Sequence, residues 1–381
     1  MGNIRKRLLE IRLPPRQSAF LWGPRRVGKS YWIRHTFPQA PLIDLPQSDV
    51  YRDYVSRPAL LRERYQRGSG LLVIDEVQKV PALLDEVHWL IEHTRLSFLL
   101  TGSSARKLRR GHANLLAGRA WRRHMVPLCS REVDRLDLER VMVTGLLPPH
   151  FLSAHIEEDL RAYVGDYLKE EIAAEALTRN IPAFSDFLHV AALTSSELLN
   201  YTNVARESGV SAKVVRTYFE ILEDTYLGFR VSPWKKSKRR RLIETEKFYL
   251  FDVGVTNHLA RRQPRVGSSE FGKSFEQYVL MELKAYQAYR APDLDIRFWR
   301  TANGQEVDFI LGDMQVALEI KGGARVHDGD LRGLRTLAEE SRVRKSVMVC
   351  LEREPRVVPP AIEVLPWRRF LDQLWAGALG V

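Results

Sequence analysis

The residues of greatest chemical interest lie in the segment Phe20–Ser30, FLWGPRRVGKS, which has the spacing of a phosphate-binding P-loop. Gly23 is followed, after four residues, by Gly28, Lys29 and Ser30. Backbone N–H groups at a helix N-terminus bind phosphate oxygens, and glycine lets the chain bend closely around them. A lysine at this position reaches the β- and γ-phosphates, and the next hydroxyl ligates Mg²⁺. The pattern therefore predicts a site for ATP and Mg²⁺.

A pair of acids further along the chain indicates hydrolysis as well as binding. The apolar run Leu71–Ile74 reads as a buried parallel strand, and it ends in Asp75 and Glu76. Asp75 is predicted to hold the water shell of the Mg²⁺, and Glu76 to polarise the attacking water. Another apolar run ends in TGSS, so Ser103 or Ser104 is expected to sense the γ-phosphate.

The elements that must position these residues follow from alternating apolar runs and amphipathic stretches between about residues 15 and 128. This alternation predicts a doubly wound α/β fold with a mostly parallel sheet. A helix is expected over Val80–His93, and a helical lid over residues 131–179. The predicted strands are Ser18–Trp22, Pro41–Leu45, Leu71–Asp75, Phe98–Thr101 and Arg122–Leu128.

Beyond residue 195 the pattern becomes that of a helix-turn-helix followed by a hairpin. The second helix begins after Ser211, a typical N-cap residue, and is expected to expose Lys213 and Arg216. A basic hairpin after such a helix pair is typical of the wing of a winged helix, which contacts DNA or protein. The basic residues of its tip are Lys235, Lys236, Lys238, Arg239, Arg240 and Arg241.

A second chemical constellation lies near the C-terminal end. Two β-like segments carry Asp308 on the first and Glu319 and Lys321 on the second. Alternation places Glu319 and Lys321 on one face, and Asp308 joins them if the hairpin register allows. Two carboxylates around a metal ion with a lysine beside them form a phosphodiesterase site, and Mg²⁺ accepts such oxygen ligands. Glu276 is the expected third carboxylate, with Glu282 as the alternative. A charged pair of strands on a solvated sheet face is the other interpretation.

Composition limits the class of protein. The chain has 381 residues, 45% of them hydrophobic, and a formal net charge of +12. The length suggests two or three domains, and the charge favours a polyanionic partner such as DNA. We find neither a stretch long enough to cross a membrane nor the apolar centre of a signal peptide, and the two cysteines have no metal-binding spacing. A cytoplasmic protein is therefore expected.

The order of these motifs resembles a widespread prokaryotic family in which an AAA-like ATPase is fused to a winged helix and a PD-(D/E)xK nuclease-like domain. The matching segments are GPRRVGKS, LLVIDEVQKVP, LLTGSS, LLAGR, YFEILEDTYLGFRV, FYLFDVG, FEQYVLMEL, WRTANGQEVDFIL and ALEIKGG. The resemblance implies an ATPase core over residues 1–130, a lid over 131–190, a winged helix over 191–255 and the nuclease-like domain over 265–381. It also implies that Arg119 is an arginine finger acting on a neighbouring subunit, with Arg122 and Arg123 as alternatives. Such a finger requires a homo-oligomer, for which a ring, such as a hexamer, is expected.

These features together predict an ATP-hydrolysing motor that binds and remodels branched or duplex DNA. Two alternatives remain open. One is a metal-dependent DNA endonuclease gated by ATP. The other is an ATP-dependent switch that binds a protein partner and performs no DNA chemistry.

Overall fold

The computed structural model describes residues 6–106, 115–168, 180–235 and 245–381, without the side chains of residues 115, 117 and 166–168. Its first sheet consists of β1 (Ser18–Trp22), β2 (Leu42–Asp44), β3 (Ser69–Asp75), β4 (Arg95–Gly102) and β5 (Ala120–His124). The order is β2-β3-β4-β1-β5, and every neighbouring pair is parallel. The carboxyl ends of β1, β3 and β4 therefore meet at one edge of the sheet.

Helices flank this parallel sheet, as the alternating pattern predicts. They span Lys29–Thr36, Ser48–Ser56, Leu60–Tyr65 and Leu83–His93, with 3₁₀ turns at Val77–Lys79 and Leu115–Gly118. The last long helix begins three residues later than predicted, because a 3₁₀ turn and Pro81, which lacks an N–H, precede it.

Strand β5 is shifted from its predicted range of Arg122–Leu128. It begins at Ala120 and ends at His124, because Met125 donates its N–H to the carbonyl of Trp22 and the chain then leaves the sheet. Leu128 already donates its N–H to Leu146 in the helical region that follows.

The middle region combines helices with one antiparallel strand pair, β6 (Gly228–Val231) and β7 (Lys247–Leu250). Gly209 adopts φ 67° at the end of one helix, and Ser211 caps the next by accepting the N–H of Val214, as expected for a helix-turn-helix. The helices span Leu138–Thr144, Pro148–Leu152, Ile156–Ala162, Ile181–Leu193, Tyr201–Ser208, Ala212–Asp224 and Val253–Leu259, and a π-helical turn spans Tyr163–Leu168.

A mixed sheet forms the C-terminal region. It contains β8 (Ile296–Arg300), β9 (Glu306–Leu311), β10 (Val316–Ile320), β11 (Lys345–Cys350), β12 (Arg356–Val358) and β13 (Ile362–Pro366), in the order β12-β13-β11-β10-β9-β8. Its helices span Ser269–Tyr289, Arg332–Glu340 and Trp367–Trp375. Side chains of β6 and β7, including Val231 and Tyr249, share the hydrophobic core of this region.

One buried arginine near the N-terminus connects three parts of the molecule. Arg7 forms an ion pair with the fully buried Glu132, with 3.0 Å between Nε and Oε1. Its other nitrogens donate to the carbonyls of Val27 (2.9 Å) and Val126 (2.6 Å) and to the hydroxyl of Tyr289 (2.8 Å). The P-loop, the start of the helical region and the helix Ser269–Tyr289 are therefore bound to one guanidinium group.

The helical region also buries a histidine. His150 is fully buried, and neither ring nitrogen has a hydrogen-bond partner among the described residues. Its ring packs edge-on against Tyr163 with 5.1 Å between centroids. Burial, together with the positive charge of Arg26, lowers the pKa of His150 to about 4.

None of the helices in the described ranges is long and apolar enough to cross a membrane.

Candidate functional site

The P-loop connects β1 to the helix Lys29–Thr36 and has the predicted geometry. Gly28 adopts φ 96°, a conformation that favours glycine, immediately before the first helical residue. Gly23 lies very close to the backbone that follows β5. A Cβ atom at this position would be 2.1 Å from the carbonyl oxygen of Met125. Both glycines are therefore required by the backbone path of the loop.

Lys29 and Glu76 face each other at the end of the parallel sheet. Lys29 is buried, and its Nζ donates to the carbonyls of Gly23 (2.8 Å) and Pro24 (3.1 Å). The same Nζ lies 3.7 Å from Oε1 of Glu76. Burial lowers the pKa of Lys29, an effect that Glu76 and Asp75 oppose. Burial alone would raise the pKa of Glu76, but Lys29, Ser103 and Gln78 lower it below its usual value. A charged carboxylate is what a general base requires.

Ser30 and Asp75 lie beside this pair and supply oxygen ligands. The Ser30 hydroxyl donates to Oδ2 of Asp75 (2.6 Å), and the hydroxyl of Thr101 donates to the other carboxylate oxygen. The Thr101 hydroxyl in turn accepts the N–H of Glu76 (3.1 Å). A hydroxyl and a carboxylate are hard oxygen donors, so Ser30 and Asp75 fit Mg²⁺ bound with a nucleotide. When bound, Mg²⁺ would neutralise charge on the phosphates.

The carboxylate of Glu76 is held by two polar neighbours. Ser103 donates its hydroxyl to Oε2 (2.8 Å), and the Gln78 amide donates to the same oxygen. Glu76 itself adopts a left-handed conformation with φ 57°, a strained geometry for a non-glycine residue that is found at functional sites. Of the two candidate serines, the structure places Ser103 against Glu76, whereas Ser104 accepts the N–H of Arg106. Gln78 was not predicted from the sequence, where its position two residues after Glu76 is the only signal for it.

A cleft of about 440 Å³ opens beside these residues. Arg25, which belongs to the P-loop, directs its Nε towards the hydroxyl of Ser103 at 3.4 Å. Arg25 therefore lies inside the site, where it also lines the cleft. The lining residues are Arg25, Arg26, Gly28, Lys29, Ser30, Tyr31, Pro46, Glu76 and Lys79.

The three candidate arginine fingers lie at the β5 edge of the parallel sheet. Arg119 is exposed and forms an ion pair with Glu92 of its own chain (2.8 Å). Arg122 and Arg123 lie on β5 itself, and Arg123 stacks over the ring of Trp121. The structure contains a single chain, so an action of any of the three on a neighbouring subunit stays a prediction.

The predicted DNA-contacting residues divide into described and undescribed ones. Lys213 and Arg216 are both exposed on the helix Ala212–Asp224, and the guanidinium of Arg216 lies 4.7 Å from the ring centre of Tyr201. Lys235 is partly buried. The remaining residues of the basic tip, Lys236, Lys238, Arg239, Arg240 and Arg241, lie outside the described residues.

The C-terminal constellation comes together, but with a change in its composition. Asp308 and Glu319 are buried, and Oδ2 of Asp308 accepts the N–H of Ile320 (2.8 Å). Lys321 forms an ion pair with Glu319 (2.7 Å). Burial and the charges of Glu319 and Glu276 raise the pKa of Asp308, and burial raises that of Glu319 to about 7. Glu282 is instead bound to Ser130 and Trp375, away from this group.

The unexpected member of this group is Lys247, from β7. Its Nζ lies 3.2 Å from Oε1 of Glu276 and 4.0 Å from Oδ1 of Asp308, and it pairs with Glu306. We call Glu276, Glu306, Asp308 and Glu319 the acidic cluster. Among the described residues, no three His, Cys, Asp or Glu side chains are arranged to hold one metal ion. The predicted metal set Asp308, Glu319 and Glu276 therefore does not fit a divalent ion in this arrangement, because an ammonium group lies beside Glu276.

Comparisons with protein families assign three consecutive segments. Residues 15–134 match the AAA domain family. Residues 135–266 match a domain of unknown function, DUF8612, and residues 271–370 match another, DUF4143.

Two mycobacterial relatives are similar over most of the chain. They are the uncharacterized proteins Mb2031c of Mycobacterium bovis and Rv2008c of Mycobacterium tuberculosis, each 26% identical over 298 residues. The match covers 76% of this chain and 66% of each relative, so the chain spans just under two thirds of their length.

Two solved structures from Aeropyrum pernix align with a large part of the chain. The ORC1 protein in complex with DNA is 13% identical to this chain. The alignment covers 64% of this chain and 86% of the ORC1 chain, with a TM-score of 0.27. The ORC2 protein is also 13% identical, and its alignment covers 66% of this chain and 89% of the ORC2 chain, with a TM-score of 0.26. These scores are too low to establish a shared architecture. The family match covers the residues that carry the P-loop, so residues 15–134 are similar to an AAA-type P-loop ATPase domain.

Proposed function

We propose that this protein hydrolyses ATP and uses the energy to bind and remodel DNA. The observation that carries the first part is the constellation at the end of the parallel sheet. Lys29, Ser30 and Glu76 line one cleft there, Asp75 accepts a hydrogen bond from Ser30, and Ser103 donates one to Glu76. Such a site has a phosphate-binding ammonium, oxygen ligands for Mg²⁺ and an ionised carboxylate to orient the attacking water.

The hydrolytic role of Glu76 is supported by how it is held. Its carboxylate accepts hydrogen bonds from Ser103 and Gln78 while it faces Lys29. These contacts preorganise the base, so that little reorganisation is needed when water attacks the γ-phosphate.

The DNA part of the proposal is supported by charge and by exposed cations. The chain carries a formal charge of +12, and Lys213 and Arg216 are solvent-exposed on one helix of a helix-turn-helix arrangement. Cations on such a helix contact phosphates or base edges. We expect recognition of DNA structure rather than of one sequence, and a homo-oligomer in which Arg119 or a neighbouring arginine completes the ATP site.

The first experiment is steady-state ATP hydrolysis at one fixed salt concentration, without DNA and with duplex, single strand, fork and four-way junction. Stimulation by one structure supports the motor and identifies its substrate. Basal hydrolysis that no DNA changes would contradict DNA coupling and favour the protein-binding switch. No hydrolysis under any condition would contradict the ATPase proposal itself.

A charge-reversal variant tests the proposed DNA surface. Lys213→Glu/Arg216→Glu should weaken binding of the preferred DNA by at least about tenfold and reduce the salt dependence, since each lost phosphate contact lowers the slope by about one. Arg52→Glu/Arg67→Glu is the control with the same change in net charge, because both arginines are exposed and lie beside the parallel sheet. Equal losses in both variants would mean that net charge, and not this helix, determines binding.

A further inference from the structure

A lysine from the middle region lies inside the acidic cluster of the C-terminal region. Lys247 is on β7, and it is only 3% exposed. Its Nζ contacts Glu276 (3.2 Å), pairs with Glu306 and lies 4.0 Å from Asp308. The ring of Phe298 covers the ammonium group at 5.6 Å. A buried ammonium group is tolerated when several carboxylates surround it, and here they do.

We propose that Lys247 is the resident cation of the acidic cluster and takes the place that a divalent metal ion would need. An ammonium group and a metal ion carry charge of the same sign, so the two exclude each other at this short range. The disagreement with the predicted metal set then has a physical cause. Three of the four carboxylates lie beside Lys247, and the fourth, Glu319, is paired through Oε1 with Lys321.

The second oxygen of Glu319 indicates that the cluster accepts another cation once Lys247 is removed. Glu319 is 6% exposed, and its Oε2 is buried without a hydrogen-bond partner in the described structure. Asp308 lies close to it, with Oδ2 on the backbone N–H of Ile320. Removing the ammonium group would leave Glu276 and Asp308 without their shared positive neighbour, beside this free oxygen.

The same contacts fasten two regions of the chain together. β7 pairs with β6 and forms a bridge to Leu198 at Lys247 itself. Two residues further along β7, Tyr249 donates its hydroxyl to Glu276 on the helix Ser269–Tyr289. Movement of this hairpin away from the C-terminal sheet would therefore withdraw the lysine and expose the carboxylates. The cluster acts as an interdomain latch whose closed state excludes metal.

The test is Mn²⁺ binding to the full nucleotide-free chain. Binding is measured as the loss of the electron paramagnetic resonance signal of free Mn²⁺. Asp308→Asn measures the background from all other sites. We expect wild-type protein to show no binding that depends on Asp308. Lys247→Met should gain one equivalent, at least tenfold tighter than the background measured in Asp308→Asn, and this gain should disappear in Lys247→Met/Asp308→Asn.

Lys321→Met is the matched control, because it removes the same charge from the same cluster. Lys321 pairs with Glu319 but is more exposed than Lys247, so its loss should leave Mn²⁺ binding as in wild type. Equal Mn²⁺ binding by wild type and Lys247→Met, whether both bind or neither does, would overturn the latch. A similar gain in both lysine variants would also overturn it, since net charge would then explain the result. If Lys247→Met does not fold, Lys247→Met/Glu306→Gln removes both charges of one ion pair and keeps the other three carboxylates, with the same outcomes expected.

Discussion

Replacement of Glu76 by glutamine tests the proposed chemistry most directly. The amide has nearly the same size, still accepts a hydrogen bond from Ser103, and removes only the charge that faces Lys29 at 3.7 Å. Positioned general bases contribute about 10²–10⁴-fold to rate. At about 1.36 kcal/mol per factor of ten, this corresponds to about 2.7–5.4 kcal/mol of transition-state stabilisation. The variant should therefore hydrolyse ATP at least about a hundredfold more slowly.

ATP binding should survive the same substitution. Lys29 loses a competing carboxylate and keeps its place in the P-loop, so the affinity for ATP should be unchanged or higher. The assay pairs steady-state phosphate release with binding of a fluorescent ATP analogue, and Glu63→Gln, an exposed glutamate of the same domain, is the control. Hydrolysis within about threefold of the wild-type rate, with ATP still bound, would refute the assignment of Glu76 as the base.

The pH dependence of the wild-type rate provides a second check on this residue. Glu76 has a pKa below its ordinary value of 4.5, because Lys29 and the hydrogen bonds from Ser103 and Gln78 outweigh burial. The base is therefore ionised throughout the neutral range. Protonation of Glu76 should therefore not contribute to any decline of the rate until the pH falls below that ordinary value, provided that the protein stays folded.

Three further predictions concern catalysis and stability. Ser103→Ala should slow ATP hydrolysis by about tenfold or more, the value of a hydrogen bond to a charged group, whereas Ser104→Ala should not, as phosphate release will show. Arg7→Met should lower the free energy of unfolding by about 3–5 kcal/mol because it leaves a buried carboxylate unpaired, and Arg12→Met at an exposed pair should cost less than about 0.5 kcal/mol, both measured by urea denaturation. A smaller difference between the two would contradict the role given to Arg7. The pKa of His150 is lowered to about 4 in the folded protein, so unfolding takes up a proton at pH values between about 4 and 6.5. The free energy of unfolding should therefore fall by about 1–2 kcal/mol between pH 7 and 5, where the lower figure allows for solvent screening. His150→Phe should abolish that loss. Parallel stability curves for the variant and wild type would show that another group is responsible.

Local sequence was sufficient where the functional residues are consecutive in the chain. Gly23 to Ser30 form one loop, and Asp75 and Glu76 end one strand, so residue types and spacing alone predict both. The parallel strands were predictable for a related reason, since strands buried on both faces appear as continuous apolar runs. The errors in these predicted strands were confined to their ends, as at β5. There, hydrogen bonds to distant residues decide where the chain leaves the sheet.

Tertiary structure decided which side chains from distant segments meet. Ser103 and Gln78 hold Glu76 only because β3 and β4 are neighbours in the sheet. Lys247 and Glu276 lie 29 residues apart in the chain and on different elements, and no periodicity of either segment relates them. The sequence by itself determined the phosphate-binding loop and the hydrolytic acid pair, because their chemistry lies in contiguous residues. Which cation neutralises the acidic cluster was decided by packing between regions, because the electrostatic partner of a buried charge depends on distance in space and not on separation along the chain.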